Sequence, residues 1–106
     1  MTTARLLYVT FPNREEAMGL AEQLLERRLI ACANLIPHME SIYRWEGKVE
    51  RAQECVLIVK TEAARVADVT KAVEELHSYN VPCVLEIAVQ SGSQGYLDWI
   101  ETETRA

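Results

Sequence analysis

The sequence predicts an α+β fold in which two helices cover one face of a single antiparallel sheet. Stretches rich in strand formers alternate with stretches whose apolar residues recur every three or four positions, in the order βαββαβ plus a short final helix. Right-handed β-helix-β crossovers place both helices on the same side of such a sheet, which is the ferredoxin-like arrangement. A length of 106 residues fits one compact domain, residues 1–106, without linkers or repeats.

The first strand is predicted over residues 4–11, ARLLYVTF, and it stops at Pro12. A helix over residues 13–28 follows, because Asn13 is a favourable N-cap residue and Glu16 stands at the capping-box position. Apolar residues within this segment are three or four positions apart, whereas charged residues fall between them. The helix therefore has one apolar face to bury.

The second and third strands are predicted to form a long hairpin. Residues 29–36, LIACANLI, make the outgoing strand, which Pro37 ends or kinks because proline has no N–H for the sheet ladder. Gly47 supplies the backbone freedom that a tight reversal needs, and the return arm is predicted from residue 48 to residue 60.

The tip of this hairpin is expected to project from the domain. At about 3.3 Å per residue the return arm spans roughly 43 Å, whereas a compact chain of this length is about 34 Å across. The tip carries Tyr43, Trp45 and Gly47. An exposed aromatic arm with open strand edges is a template for pairing with a neighbouring subunit, so we interpret these residues as an assembly hairpin.

The second half of the chain continues the alternation of helices and strands. A helix is predicted over residues 62–77, a fourth strand over residues 83–89 and a short helix over residues 94–103. Tyr96 and Trp99 stand three positions apart on this last helix. We expect them to pin it to the sheet.

An unbroken apolar run in the third strand predicts more than one subunit. Cys55, Leu57 and Val59 would face the helices, while Val56 and Ile58 would point to the opposite side of the sheet. With about ten apolar side chains there, at roughly 1.5 kcal/mol each, exposure would forgo on the order of 15 kcal/mol. Since a whole domain is stable by only about 5 to 15 kcal/mol, the sequence predicts an obligate homo-oligomer packed sheet to sheet.

Composition excludes several classes of partner. Eleven Lys and Arg residues against sixteen Asp and Glu residues give a net charge of -5, and the basic residues are scattered. A nucleic-acid or anionic membrane surface would need a positive stripe, so neither partner is expected. No segment approaches the roughly 20 apolar residues that cross a bilayer, and no leader segment is evident, which predicts a cytoplasmic protein.

The three cysteines are interpreted first as free thiols of a reduced protein. If the hairpin pivots between Glu46 and Gly47, Cys32 would face Thr61 and Cys55 would face His38. The two cysteines would then miss each other by about seven positions, which predicts no disulfide between them. A bulge at Pro37 would shift this pairing by only one or two residues.

Five motifs resemble those of the CutA divalent-cation-tolerance family: A-C-x-N at 31–34, S-x-Y-x-W-x-G-K at 41–48, Lys60-Thr61, H-x-Y-x-x-P at 77–82, and Gly92 followed by Y-L-x-W-I at 96–100. The likeness runs in order from about residue 6 to residue 100. It implies a ferredoxin-like homotrimer, cytoplasmic in bacteria, whose hairpin arms pair with strands of adjacent subunits. It also implies a link to copper or other divalent ions, and an architectural likeness to PII signalling proteins.

The sequence departs from the family pattern where ions would be expected. The segment HSYNVPC at 77–83 carries Ser78, Asn80 and Cys83 where the family has a proline and two acids, and Val9 replaces a cysteine found in some copper-linked members. Oxygen ligands for a hard cation are thereby lost, while a soft thiol is gained.

The candidate metal ligands are therefore Cys32, His77 and Cys83, which would suit copper or zinc if folding brings them together. None is at the close spacing of a structural zinc motif. The structural alternative is that Cys32 packs between two alanines and that His77 stabilises the negative end of a helix dipole.

Two further classes of function compete with metal binding. A PII-like signalling or scaffold protein would bind a small ligand or a partner in intersubunit clefts lined by Lys60, Tyr79 and Trp99, with His77 nearby. Small acyl-phosphate hydrolases share the topology and hold an anion after the first strand, where Arg14 follows the N-cap asparagine. Two glutamates come next and would repel a phosphate, and no catalytic set appears, so no catalytic residues are assigned and no enzyme is predicted.

Overall fold

The structure is a computed structural model that describes residues 2–105. Its elements, in chain order, are β1 (Ala4–Phe11), α1 (Arg14–Glu26), β2 (Cys32–Trp45), β3 (Lys48–Glu62), α2 (Val66–Leu76), β4 (Val84–Ala88) and α3 (Gln94–Glu103). All strand pairs are antiparallel, and the strand order is β2-β3-β1-β4. This is the predicted α+β, ferredoxin-like fold. The two edge strands of the sheet are β2 and β4, and β3 and β1 lie between them.

The boundary between α1 and β2 differs from the prediction because the helix ends in a closed C-terminal motif. Arg28 adopts a left-handed conformation with φ 57°. The N–H groups of Arg28 and Leu29 donate to the carbonyls of Leu25 and Leu24, both at 3.0 Å. This Schellman arrangement uses the last residue of the predicted helix and the first residue of the predicted strand, so α1 ends at Glu26 and β2 begins only at Cys32.

The core fills the space between the sheet and the helices α1 and α2. Alternate residues of β1 and β3 point to this side and are buried, as are the apolar stripes of both helices. The largest fully buried side chains of this cluster are Leu7, Val9, Phe11, Leu24, Ile30, Leu57, Val59, Val69 and Val73. Cys55, Leu57 and Val59 face the helices as predicted.

The hairpin reverses at the predicted pair. Trp45 pairs with Lys48, and the two residues between them, Glu46 and Gly47, have φ 49° and φ 80°. Positive φ at both central positions is the type I′ geometry that matches the twist of paired strands. The molecule measures 44 × 26 × 22 Å, longer than the roughly 34 Å of a compact chain, and residues 42–51 are all exposed.

A bulge in β2 corrects the predicted register. Ile36 pairs with Val56 and Met39 pairs with Glu54, so Pro37 and His38 together stand opposite one residue of β3. Between the bulge and the start of β2 the pairing is therefore shifted by one residue. Cys32 lies opposite Lys60, and the predicted pairing of Cys32 with Thr61 is wrong.

The face of the sheet turned away from α1 and α2 is called the open face. Helix α3 covers one end of it, where Ile100 is buried against Ala4 and Ala31. Beyond α3 the face is uncovered: Leu85 is 58% exposed, while Ile36 and Ile87 are each 48% exposed. With ten residues, α3 is only about 15 Å long and cannot cover the whole face.

Candidate functional site

The cysteines lie in three different environments. Cys55 belongs to the core, and its sulfur lies 3.8 Å from the carbonyl oxygen of Phe11. Cys32 and Cys83 are half-buried, and the strand register places Cys32 on the open face beside Lys60. All three are free thiols. The two half-buried thiols are separated by the width of the sheet and by roughly 13 Å along the strands, at about 3.3 Å per residue.

His77, at the end of α2, has a side chain with no exposed surface. Its Nε2 lies 2.7 Å from the carbonyl oxygen of Thr10, which can only accept, so Nε2 carries the proton. Its Nδ1 accepts the backbone N–H of Tyr79 at 3.0 Å, and the ring stacks on Phe11 with centroids 4.5 Å apart. Both ring nitrogens are thus hydrogen-bonded by backbone groups in this conformation.

The His77 contacts close the loop between α2 and β4. The pairing of β1 with β4 ends at Val9 and Val84, so the Thr10 carbonyl lies beyond the fourth strand and obtains its donor from His77. Glu16 of α1 lies 3.4 Å from Nδ1 of His77 and accepts the N–H of Ser78 at 3.0 Å. The first helix therefore also fixes the start of this loop.

Tyr79 and Cys83 come from the same loop and meet β3 and β1. The Tyr79 hydroxyl donates to Glu54 at 2.9 Å. Burial first, and then this hydrogen bond, raise the pKa of Tyr79 well above its ordinary value. Burial, together with the charge of Glu54, also raises the pKa of the Cys83 thiol, although a hydrogen bond with the Thr10 side chain opposes the shift.

An open groove of about 730 Å³ lies where the open face meets the hairpin and this loop. We call it the aromatic groove, after its lining residues Tyr8, Tyr43, Trp45 and Tyr79, which stand around the Glu54 carboxylate. The Tyr8 hydroxyl also lies 3.5 Å from the sulfur of Met39, at the groove wall. Cys83 lines the same groove, whereas Cys32 and His77 do not.

The remaining predicted cleft residues lie at the opposite end of the open face. Lys60 donates to the Tyr96 hydroxyl at 3.1 Å, and the Tyr96 and Trp99 rings are 5.4 Å apart. Lys60 and Trp99 are thus connected through Tyr96. Tyr96 and Trp99 are 42% and 41% exposed, so the predicted pair contributes less to the attachment of α3 than Ile100 and Leu97, which pack against the sheet. Tyr79 lies in the aromatic groove and not beside Lys60 and Trp99. Within one protomer the residues of the predicted cleft therefore belong to two separate surfaces.

The position that an acyl-phosphate hydrolase would use is occupied by a helix cap. The Asn13 side chain accepts the N–H of Glu16 at 2.9 Å, as the sequence predicted.

Within residues 2–105 no three His, Cys, Asp or Glu side chains lie close enough together to hold a metal ion. None of the helices formed by residues 2–105 has the length and apolar character needed to span a bilayer.

Sequence reasoning missed Tyr8, Met39 and Glu54 as residues of a common site. The sequence did contain a signal for two of them. Tyr8 and Glu54 are even-numbered, and the even-numbered residues of β1 and β3 point to the open face. The register between strands and the bulge that re-aims Met39 are needed before these side chains can be placed together.

Comparison with known proteins gives a consistent result. The family model described as CutA1 divalent ion tolerance protein matches residues 5–103. The divalent-cation tolerance protein CutA of Archaeoglobus fulgidus is 43% identical over 95 residues, covering 90% of this chain and 92% of that protein. The chloroplastic protein CutA of Arabidopsis thaliana is 41% identical over 100 residues, 94% of this chain but 55% of that protein. The chain thus spans about half the length of this plant relative.

Solved structures agree over the whole fold. The crystal structure of CutA from Xylella fastidiosa superimposes with a TM-score of 0.95 at 35% identity, covering 98% of this chain and 100% of that one. The structure described as the periplasmic divalent cation tolerance protein CutA from Archaeoglobus fulgidus has a TM-score of 0.93 at 40% identity, covering 96% and 99% of the two chains.

Proposed function

This chain belongs to the family of CutA1 divalent ion tolerance proteins, and from that membership we propose that it acts as a homotrimer that binds copper or another divalent metal ion. The family's description refers to tolerance of divalent ions, which is a binding or tolerance role rather than a catalysed reaction. The observation that carries the proposal is the open face, which is both apolar and uncovered and which bears the two half-buried thiols.

The assembly part of the proposal follows from exposed apolar area. Leu85, Ile87 and Ile36 are about half exposed on one continuous sheet face, and soluble monomers rarely leave such patches uncovered. The edge strand β2, which runs from Cys32 to Trp45, offers unpaired backbone groups beside that face. Further copies of the chain can satisfy both, and three copies are the number that the family resemblance implies.

The metal part of the proposal rests on Cys32 and Cys83. Thiolates are soft ligands that favour copper and zinc over hard cations such as magnesium. In one protomer the two thiols are far apart, and the backbone already occupies both nitrogens of His77. We therefore propose that ligands from two or more protomers complete the metal site, with thiols of the open face facing one another across the assembly.

A PII-like role in signalling or scaffolding is the second candidate. The aromatic groove favours it, because a concave site of about 730 Å³ is within the size range of small-molecule pockets. Tyr79 would contact the ligand there, while Lys60 and Trp99 would lie at the other end of the open face. We also propose a cytoplasmic location, since three free thiols suit a reducing compartment.

The test combines mass measurement with metal titration. Light scattering after size-exclusion chromatography is expected to give three times the 12.0 kDa protomer mass, 36 kDa. Calorimetric titrations with Zn²⁺, and with Cu⁺ held reduced, are expected to show saturable binding of at least one ion that Cys32→Ser or Cys83→Ser weakens at least tenfold. Cys55→Ala is the matched control, because its thiol is in the core. A 12 kDa particle would refute the assembly, and equal affinities in all three variants would refute the metal site.

A further inference from the structure

The aromatic groove shares Cys83 with the proposed metal site and Tyr43 and Trp45 with the assembly hairpin, but its aromatic and acidic surface has a chemistry that metal binding by thiols does not use. Of the seven aromatic residues in the chain, four line this one groove: Tyr8, Tyr43, Trp45 and Tyr79. Its lining also includes the Glu54 carboxylate, whereas Glu40 alternates with Met39 and Ser41 along β2 and so points its side chain to the other face. Among the described residues 2–105, no lysine, arginine or histidine lines it. Aromatic faces beside a carboxylate without a counter-cation form a surface of negative potential.

The groove residues are held in place by contacts within the protein. The Tyr79 hydroxyl donates to Oε2 of Glu54 at 2.9 Å, which leaves Oε1 of the carboxylate as an acceptor. Glu54 is directly paired with Met39 in the sheet, and the Tyr8 hydroxyl contacts the Met39 sulfur at 3.5 Å. Tyr43 and Trp45 follow Met39 at every second position of β2, so they stand on the same side of that strand.

From this arrangement we infer that the aromatic groove binds a small organic cation with N–H donors, an alkylammonium or guanidinium group. A cation above Tyr or Trp faces is attracted by the negative face of the ring, and the attraction grows when water is excluded. An N–H of the same cation can donate to Oε1 of Glu54, which gives a charge-assisted hydrogen bond. A neighbouring protomer closing over the open face would convert the groove into a more enclosed cleft.

A bare metal ion fits this groove less well than an organic cation. Calcium takes six to eight oxygen ligands and magnesium requires near-octahedral oxygen coordination, whereas the groove offers the single carboxylate of Glu54. In residues 2–105, no three His, Cys, Asp or Glu side chains form a cluster that could hold an ion. The volume of about 730 Å³ lies in the range of pockets for small molecules, which favours a free small cation over a segment of a large partner.

The experiment titrates the intact, assembled protein with n-butylammonium, n-butylguanidinium, tetramethylammonium and the neutral analogue 1-butanol. Binding is followed by the indole N–H signal of Trp45 in nuclear magnetic resonance, with Trp99 as an internal reference outside the groove. We expect saturable shifts of Trp45, with butylammonium or butylguanidinium binding at least tenfold more tightly than 1-butanol. Tetramethylammonium, which has no N–H donor, is expected to bind several-fold more weakly than the better of the two donors.

Three variants test the residues. Glu54→Gln removes the charge but keeps an acceptor for the Tyr79 hydroxyl, and it is expected to weaken ammonium binding about tenfold or more. Trp45→Leu, at an exposed hairpin position, is expected to weaken it several-fold, and light scattering of the variant checks that assembly is retained, because Trp45 also belongs to the assembly hairpin. Glu74→Gln makes the same charge change at an exposed site on α2 and is expected to leave the affinity within twofold.

Several results would overturn the inference. They are equal binding of 1-butanol and butylammonium, equal effects of Glu54→Gln and Glu74→Gln, tighter binding of tetramethylammonium than of either N–H donor, or the lack of any saturable shift at Trp45. These outcomes leave the metal proposal standing, because that proposal depends on Cu⁺ binding to thiols. Conversely, loss of Cu⁺ binding in the thiol variants does not alter the expected ammonium titration.

Discussion

The substitution His77→Phe tests whether the buried imidazole is a structural link between β1 and the loop that follows α2. Phenylalanine retains the stacked ring against Phe11 but removes both hydrogen-bonding nitrogens. The Thr10 carbonyl loses a donor at 2.7 Å and the Tyr79 N–H loses an acceptor at 3.0 Å. Each backbone group left without a partner costs about 1 to 3 kcal/mol when it is buried.

The expected loss is smaller than the sum of these two contributions. Tyr79 is only half-buried, so water can reach part of the loop, and the added apolar surface of phenylalanine contributes about 1 kcal/mol in the other direction. We therefore expect His77→Phe to lower the free energy of unfolding by about 2 to 4 kcal/mol. The lost contacts also free Tyr79, so its hydrogen bond to Glu54 is expected to weaken.

Urea unfolding followed by circular dichroism measures this change, with all proteins at one protomer concentration because the stability of an oligomer depends on concentration. His38→Asn is the control: His38 is exposed in the β2 bulge with φ 60°, a conformation that asparagine tolerates. It is expected to change stability by less than about 0.5 kcal/mol. A His77→Phe protein as stable as the control would refute the structural role. Stabilisation of the original protein by added metal, absent in His77→Phe, would instead make His77 a ligand.

Three other outcomes are expected. Arg28→Gly relieves the left-handed conformation with φ 57° at the end of α1 but removes an exposed contact with Glu103, so it should change stability by between zero and about +1 kcal/mol in thermal unfolding; a loss of more than about 1 kcal/mol would contradict the Schellman geometry. Leu85→Lys combined with Ile87→Lys places charges on the open face and should give 12 kDa protomers by light scattering, whereas an unchanged mass would show that this face is not the interface. Since burial raises the pKa of the Cys83 thiol, metal must displace a proton there, so Cys83 should contribute about a tenfold rise in Cu⁺ affinity per pH unit near neutrality, and Cys83→Ser should remove this contribution; an equal slope in both proteins would exclude Cys83.

The residues of the candidate site could be named from the sequence only in part. Cys32, His77 and Cys83 were singled out by their chemistry, and Tyr43 and Trp45 by their place on a long hairpin. The structure separates the two thiols by the width of the sheet and gives His77 two backbone partners. It joins the hairpin aromatics instead to Tyr79, so residues of two separate motifs, at 41–48 and 77–82, line one groove.

The sequence by itself determined the features that depend on neighbours along the chain. The Asn13 cap, the Glu46-Gly47 reversal and the alternation around Leu57 each act within a few residues, where local backbone preferences and side-chain periodicity decide the outcome. Only the tertiary structure decided that Glu54 and Tyr79 meet, because their separation in the chain is bridged by strand register and helix packing. Strand register depends on the pairing of whole strands, because adding or removing a single bulge residue changes the cross-strand partner of every residue beyond it.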